Sequence, residues 1–240
     1  MSDQNESRLA KIRALLAKAE ATTFPAEAEA YTAKAAALIS QWGLEEAIAE
    51  ARAEDRPDVT EKIVTMEGSY QTEKSVLLYR VAKGLGVRTV KLRGHNAGSG
   101  GVKVHVFGMP NDIVRVELLF TSLLVQASQG LHTARPWNPN ESIKAYRRSW
   151  MSGFAHAVGD RLDAQRTRDT REAGAGTDLV LFDRAKLVDQ RVQVFYPKLT
   201  TLTRRLSGSG GNAGRAAGHR ANLSTGSNGV RTGSRVALGR

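Results

Sequence analysis

The spacing between apolar residues constrains the fold of this chain more than any other feature, because its period changes along the sequence. Residues 8–20 and 25–42 place apolar side chains every three or four positions, which predicts two amphipathic helices. Pro25 suits the first turn of the second helix, and Gly43 is expected to end it. Residues 1–44 are therefore predicted to form a helical hairpin.

The pattern beyond the hairpin changes to one that strands require. An Ala-rich acidic linker over residues 45–60, part of it a short exposed helix before Pro57, leads into this region. Strand patterns then lie on either side of one further helix pattern, in the order strand 62–70, helix 73–87, strand 88–93 and strand 102–108. This order predicts a three-stranded sheet built from a β-α-β-β segment.

Three long helical patterns follow the sheet. Residues 111–131 are apolar nearly all round, which predicts a central core helix, with a homodimer interface as the alternative. Residues 141–169 have one apolar side and one basic side. Residues 178–206 are amphipathic, although Pro197 must kink or end that helix. Together with the sheet, these helices predict an α+β core over residues 61–206.

The last part of the chain, residues 207–240, is rich in Gly, Ser, Asn and Arg. Its first glycines are too closely spaced for a regular helix, namely Gly208, Gly210, Gly211, Gly214 and Gly218. We therefore expect a disordered tail. The predicted fold class is α+β, with an N-terminal helical hairpin, a small three-stranded sheet packed on long helices, and a flexible Arg/Gly-rich C-terminal tail.

Composition excludes several classes of function. The chain has no cysteine, so disulfides, thiolate metal sites and a cysteine nucleophile are excluded. Its first residues are too polar for a signal peptide, and no stretch approaches the roughly 18 apolar residues that a membrane span needs. We therefore expect a cytoplasmic protein without a membrane partner.

The formal net charge of +11 is concentrated in the second part of the chain. Residues 1–134 contain 16 Lys/Arg and 16 Asp/Glu, whereas residues 135–240 contain 19 and 8, a difference of 11. After Asp189 no acidic residue follows, but nine basic residues do. Such an excess on one part of a chain indicates contact with a polyanion.

Two short motifs near the N terminus resemble a known family. Residues 11–20 are KIRALLAKAE and residues 27–38 are EAEAYTAKAAAL, a pair that resembles the DUF2786 domain of unknown function. Residues 107–127 and 147–162 also resemble the region that follows this domain in actinobacterial and phage proteins. The resemblance implies a bacterial or phage source and favours nucleic-acid metabolism, but it implies no catalytic residue and no cofactor.

Polyanion binding has the strongest physical case among the candidate functions. Side chains that neutralise phosphates release counterions, which supplies nearly all of a nonspecific affinity, and Arg adds forked hydrogen bonds and stacking. The candidate nucleic-acid-binding residues are Lys144, Arg147, Arg148, Lys198, Arg204, Arg205, Arg215 and Arg220. Trp137 or Trp150 is the candidate for stacking on bases, although Trp150 also fits the core. For the helix over residues 141–169, a solvated face with internal salt bridges is the simpler interpretation.

Other chemistry has less support in the sequence. Residues 94–101, GHNAGSGG, offer backbone amides to a phosphate but lack the ending of a P-loop, so they predict a hairpin connection. His156 and Asp160 share a helical face and His105 lies on a strand, yet no metal motif accompanies them. A capped His156 and a half-buried His105 are expected instead. The sequence therefore predicts no catalytic residue, no metal and no cofactor.

These observations predict a protein that binds DNA or RNA without sequence preference and contacts mainly phosphates. One alternative is an adaptor that recruits a protein partner through the helical hairpin and the acidic linker. A second alternative is a nucleic-acid-processing enzyme whose site is assembled from residues that are far apart in the sequence.

Overall fold

The computed structural model of the chain describes residues 3–22, 24–53, 57–92, 101–200 and 206–221. Within them the elements follow the order α1 (Asp3–Ala21), α2 (Pro25–Arg52), β1 (Thr60–Met66), α3 (Gln71–Gly84), β2 (Arg88–Lys91), β3 (Val102–Gly108), α4 (Pro110–Thr133), α5 (Ile143–Glu172), α6 (Thr177–Phe195) and α7 (Gly211–Arg220). The α+β class, the N-terminal helix pair and the three-stranded sheet are therefore confirmed.

The helix pair differs from the prediction at its C-terminal end. α1 packs against α2, but α2 continues through Gly43 for nine more residues, so the predicted end at Gly43 is wrong. Gly43 packs against the guanidinium of Arg115, since a Cβ on this glycine would lie in van der Waals contact with it at 3.4 Å. Ala47 is buried, so residues 45–52 pack on the core rather than form an exposed linker.

The sheet is antiparallel, and β3 is its central strand in the order β1-β3-β2. Ile63 and Val90 both pair with His105 in the register. Because side chains alternate along a strand, Val104 and Val106 point into the main core, while His105 and Phe107 point to the opposite face, which α6 covers. Both faces of β3 are therefore buried.

α4 and α5 organise the main core. α4 contacts α1, α2, α3, α5 and β3, and its buried residues include Leu119 and Leu123. The predicted central core helix is thus confirmed. α5 contacts α2, α3, α4, α6 and α7, and it buries Trp150 and Phe154 in stacked orientation, with ring centroids 5.6 Å apart.

The glycine-rich segment after Ser209 forms a helix, so the prediction that it is too glycine-rich for regular structure is wrong. α7 contacts α5 more extensively than any other pair of elements in the described residues. Gly210, Gly214 and Gly218 recur every four positions and face α5, where a Cβ would overlap backbone carbonyl oxygens. The absence of side chains lets the two backbones approach closely, as in small-residue helix packing. The predicted tail beyond Ala221 lies outside the described residues.

None of the helices in the described ranges is both long enough and apolar enough to span a membrane.

Candidate nucleic-acid interface

Three of the predicted binding residues project from the start of α5. Ser142 precedes this helix, and its Oγ accepts a hydrogen bond from the backbone amide of Ala145 at 3.4 Å. At about 100° per residue, Lys144, Arg147 and Arg148 lie within a sector of roughly 100° on the helix. The local sequence alone therefore places three positive charges on one side of α5.

Arg147 meets a second arginine at the end of α4. Its Nε donates to the carbonyl oxygen of Ala134 at 3.3 Å, and Nη1 of Arg135 donates to the same oxygen at 3.0 Å. In the described part of the chain, neither guanidinium has a carboxylate within 4 Å. Trp137, two residues further on, is fully exposed. Two unneutralised arginines and an exposed indole therefore lie together.

Lys144 and Arg148 border an open cleft at the start of α3. The cleft has a volume of about 750 Å³ and is lined by residues 68–73 together with Ile143, Lys144 and Arg148. Nε of Arg148 donates to Oε1 of the buried Glu73 at 3.0 Å, which neutralises that carboxylate. Lys144 itself is exposed. The cleft therefore has one acidic group, already paired, and a free lysine at its rim.

Two further lysines lie next to residues of the cleft. Nζ of Lys74 donates to the carbonyl oxygen of Glu67 at 2.7 Å, and Nζ of Lys91 lies 3.4 Å from Oγ1 of Thr72. Both of these partners are neutral groups. We call the set the α5 basic surface, which consists of Lys74, Lys91, Arg135, Lys144, Arg147 and Arg148.

The sequence prediction missed Lys74, Lys91 and Arg135. Lys74 and Lys91 lie in the half of the chain whose charges balance, so charge counting gives no signal for them. They reach the cleft because α3 packs on α5 and β2 contacts α3. For Arg135 the sequence does offer an indication of nucleic-acid binding, because this arginine precedes Trp137 by two residues in a proline-rich turn.

The other predicted binding residues within the described ranges lie on other elements. Arg215 pairs with Asp160 at 3.0 Å, and Arg220 lines a groove with Ala19 and Glu20 of α1. Lys198 follows α6, which covers the sheet. Arg204 and Arg205 lie outside the described residues, as does the predicted phosphate-contacting loop over residues 94–101, except for Gly101.

The C-terminal half of α5 fits the simpler interpretation of a face with internal contacts. Nη1 of Arg161 donates to the carbonyl oxygen of Gly218 at 2.9 Å, and Nη1 of Arg166 donates to that of Lys83 at 3.4 Å. Lys83 also pairs with Asp163 at 2.8 Å. These charges hold α5 to α3 and α7 rather than face a ligand.

The two histidines that were considered as metal ligands have protein partners. Nδ1 of His156 lies 2.7 Å from the carbonyl oxygen of Ser152, one helical turn earlier. Nδ1 of His105 lies 2.8 Å from the hydroxyl of Tyr196. In the described ranges, no group of three or more His, Asp or Glu side chains is arranged to hold a metal ion.

A buried charge cluster connects α2 with α4 and α6, and none of the sequence predictions pointed to it. The Arg115 side chain is 1% exposed; Nη1 donates to Glu46 at 2.7 Å and Nη2 pairs with Asp112. Arg184 pairs with Asp112 at 2.7 Å and with Glu50. Burial raises the pKa of Glu50, and the nearby charge of Arg184 opposes that rise.

The N-terminal helices match a known family. Residues 8–46 match DUF2786, described as a protein of unknown function. The DUF2786 segment covers most of α1 and the part of α2 that reaches Glu46, so its last residue is one of the partners of Arg115. No curated protein and no solved structure shows significant similarity to the chain.

Proposed function

We propose that this protein binds DNA or RNA without sequence preference, and that the α5 basic surface makes the phosphate contacts. The observation that carries the proposal is the position of Lys144 and Arg148 on an open cleft, with Arg147 on the same side of α5 and sharing a carbonyl acceptor with Arg135. Among the described residues, only Arg148 of this set forms an ion pair with a carboxylate, to Glu73 at 3.0 Å. A surface with this excess charge attracts polyanions.

The shape of this surface suits phosphates and bases at once. Arg135 and Arg147 share a carbonyl acceptor, which holds two guanidinium groups next to each other, and guanidinium groups form forked hydrogen bonds with phosphate oxygens. Trp137 is 100% exposed beside them, and an exposed indole can stack on an unpaired base of any identity. Stacking and phosphate contacts both tolerate sequence changes, which supports binding without sequence preference.

The adaptor alternative loses one of its supports. It assigned partner recruitment to the acidic residues after Gly43, but Glu46 and Glu50 pair with Arg115 and Arg184 inside the protein. Those carboxylates are therefore engaged before any partner arrives. The bacterial or phage origin that the resemblance implies, and a cytoplasmic location, stay part of the proposal.

The test is fluorescence anisotropy with labelled single- and double-stranded DNA and RNA over a series of salt concentrations. The double variant Lys144→Ala/Arg147→Ala should weaken binding and lower the slope of log K against log salt by about 2, because each lost phosphate contact removes about 0.9. The matched control is Lys11→Ala/Lys34→Ala, which removes the same charge from exposed positions on α1 and α2. Equal slopes for the two variants would contradict the assignment to α5.

A truncation separates this surface from the C-terminal arginines. The chain should be ended after Ala221, because α7 packs on α5 and a shorter truncation would remove part of the fold. If the α5 basic surface makes the main contacts, the truncated chain keeps most of its affinity. Loss of all binding on truncation would assign the function to residues 222–240 instead, and absence of binding in the full chain at low salt would refute the proposal.

A further inference from the structure

α6 has one face packed on the protein and one apolar face exposed. Val188 and Val192 are buried against Phe107 on the sheet. The exposed side chains are large and apolar, with exposed fractions of 62% for Leu179, 65% for Phe182, 41% for Leu187 and 74% for Val194. At about 100° per residue these four span roughly 140° of the helix, opposite to the two buried valines. Four exposed polar side chains lie in the same sector, namely Asp183, Lys186, Gln190 and Gln193. The stripe is therefore mixed, but large exposed apolar side chains clustered on one face of a helix mark an interaction site.

Two opposite charges lie within this stripe. Asp183 and Lys186 are both exposed and, among the described residues, neither forms an ion pair. They are three positions apart, on either side of the midpoint between residues 184 and 185. The arrangement is therefore self-complementary under a two-fold rotation about an axis through that midpoint.

We propose that α6 is the interface of a homodimer, in which α6 of a second copy of the chain packs antiparallel on it. With the two-fold axis at the midpoint, Phe182 lies level with Leu187 of the second copy, and Asp183 lies level with Lys186 of the second copy. Both contacts occur twice. A parallel pair would place Asp183 against Asp183 and Lys186 against Lys186, so the charges select the antiparallel orientation.

The other long apolar helix is not available for this contact. α4 is surrounded by α1, α2, α3, α5 and β3, and most of its large apolar side chains are buried or half-buried, Val125 being the exposed one. α6 contacts α2, β3, β2 and α5 through its other side, and none of the exposed residues of the α6 stripe belongs to the α5 basic surface.

The test is sedimentation equilibrium of the full-length chain at physiological salt, without nucleic acid, over a range of micromolar concentrations. We expect a monomer–dimer equilibrium in the wild type. Phe182→Asp should abolish the dimer, whereas Phe24→Asp, the same substitution at an equally exposed site before α2, should leave it unchanged. Both sites are solvent-exposed, so neither variant should unfold, and thermal melting checks this.

A charge exchange tests the register. Asp183→Lys and Lys186→Asp alone should each weaken dimerisation about tenfold, because each places like charges together at two symmetric positions. The double variant Asp183→Lys/Lys186→Asp should restore it. A wild type that is monomeric at the highest concentration would overturn the proposal. So would a dimer that survives Phe182→Asp, or single variants that are not rescued by the double variant.

Discussion

His105 lies on the face of β3 that α6 covers, and aromatic rings surround its imidazole. The ring centroid of Phe107 is 4.2 Å away and that of Phe195 is 5.3 Å away. Nδ1 faces the hydroxyl of Tyr196 at 2.8 Å, so the neutral ring can accept that proton. Burial lowers the pKa of His105, and Glu61 opposes the shift more weakly.

The lowered pKa of His105 predicts a loss of stability in mild acid. The folded state binds the proton less tightly than the unfolded state does. The contribution of His105 to stability is therefore complete above its unfolded pKa of about 6.5. It is lost as pH falls through that value toward the folded pKa. In thermal melts at about pH 7.5 and about pH 5.5, the wild type should lose more of its Tm than His105→Phe does. The exposed His132→Gln is the control, and equal losses in all three proteins would contradict the prediction.

The alternating pattern of β3 predicts a partly buried histidine, and the structure confirms burial on one face of the strand. Its partner could not be predicted, because Tyr196 is 91 positions away and follows a helix. The α5 basic surface also has a part that the sequence predicts, namely Lys144, Arg147 and Arg148, and a part that it does not. Helical periodicity places these three residues together, but only the tertiary packing of α3 and α4 brings Lys74 and Arg135 to them.

α7 shows how an element is formed by its neighbour rather than by its own propensity. Glycine is among the weakest helix formers, at about 1 kcal/mol per residue relative to alanine, so residues 208–218 predict no helix. Close packing on α5 overrides that preference, because three glycines at intervals of four let the α7 backbone lie on the carbonyl groups of α5. Glycines that recur every four residues are typical of closely packed helices, so this spacing was a sequence feature that could have predicted α7.

Two glycines of α7 give opposite predictions for the same substitution. A Cβ on Gly214 would overlap the carbonyl oxygen of Trp150, so Gly214→Ala should destabilise the protein by about 1–3 kcal/mol in urea unfolding. A Cβ on Gly211 would lie 3.9 Å from the nearest atom, the carbonyl oxygen of Ser149, so Gly211→Ala should be neutral or stabilise by up to about 1 kcal/mol. If both variants lose the same stability, packing against α5 is not what requires glycine.

Other elements followed the local sequence closely. α6 ends at Phe195, two residues before Pro197, because the proline cannot continue the helix and restricts the residue before it. By contrast, α2 continues through Gly43, where the tertiary contact with Arg115 outweighs the helix-ending tendency of glycine. A helix end that depends on the neighbouring residues in the sequence was predictable. A helix end that depends on a distant side chain was not.

At the scale of the whole molecule, the DUF2786 segment does not stand as a separate unit. Buried residues of α1 and α2, among them Ile12 and Ile39, belong to the same apolar cluster as Leu77 and Leu119 of the later helices. The charge cluster reinforces this continuity, since Glu46 and Glu50 of α2 pair with arginines of α4 and α6. One shared core predicts that the described residues unfold together.

Arg115 provides the test of that continuity. Its guanidinium contacts Glu46 and Asp112 and lies 4.9 Å from the ring centroid of Trp42. Arg115→Met would leave buried carboxylates without this partner, which typically destabilises by about 3–5 kcal/mol. In calorimetry of the full chain, the single transition should move to lower temperature as a whole. If α1 and α2 were an independent domain, the variant would instead show two separate transitions.

The matched control for Arg115→Met is Lys62→Met, which breaks the exposed ion pair with Glu117. Because both partners are solvated, that change should alter the free energy of unfolding by less than about 1 kcal/mol. A loss of similar size in both variants would mean that burial of the Arg115 cluster contributes nothing specific. A large loss in Arg115→Met alone, with one transition retained, would show that the DUF2786 segment and the later helices depend on each other through these charges.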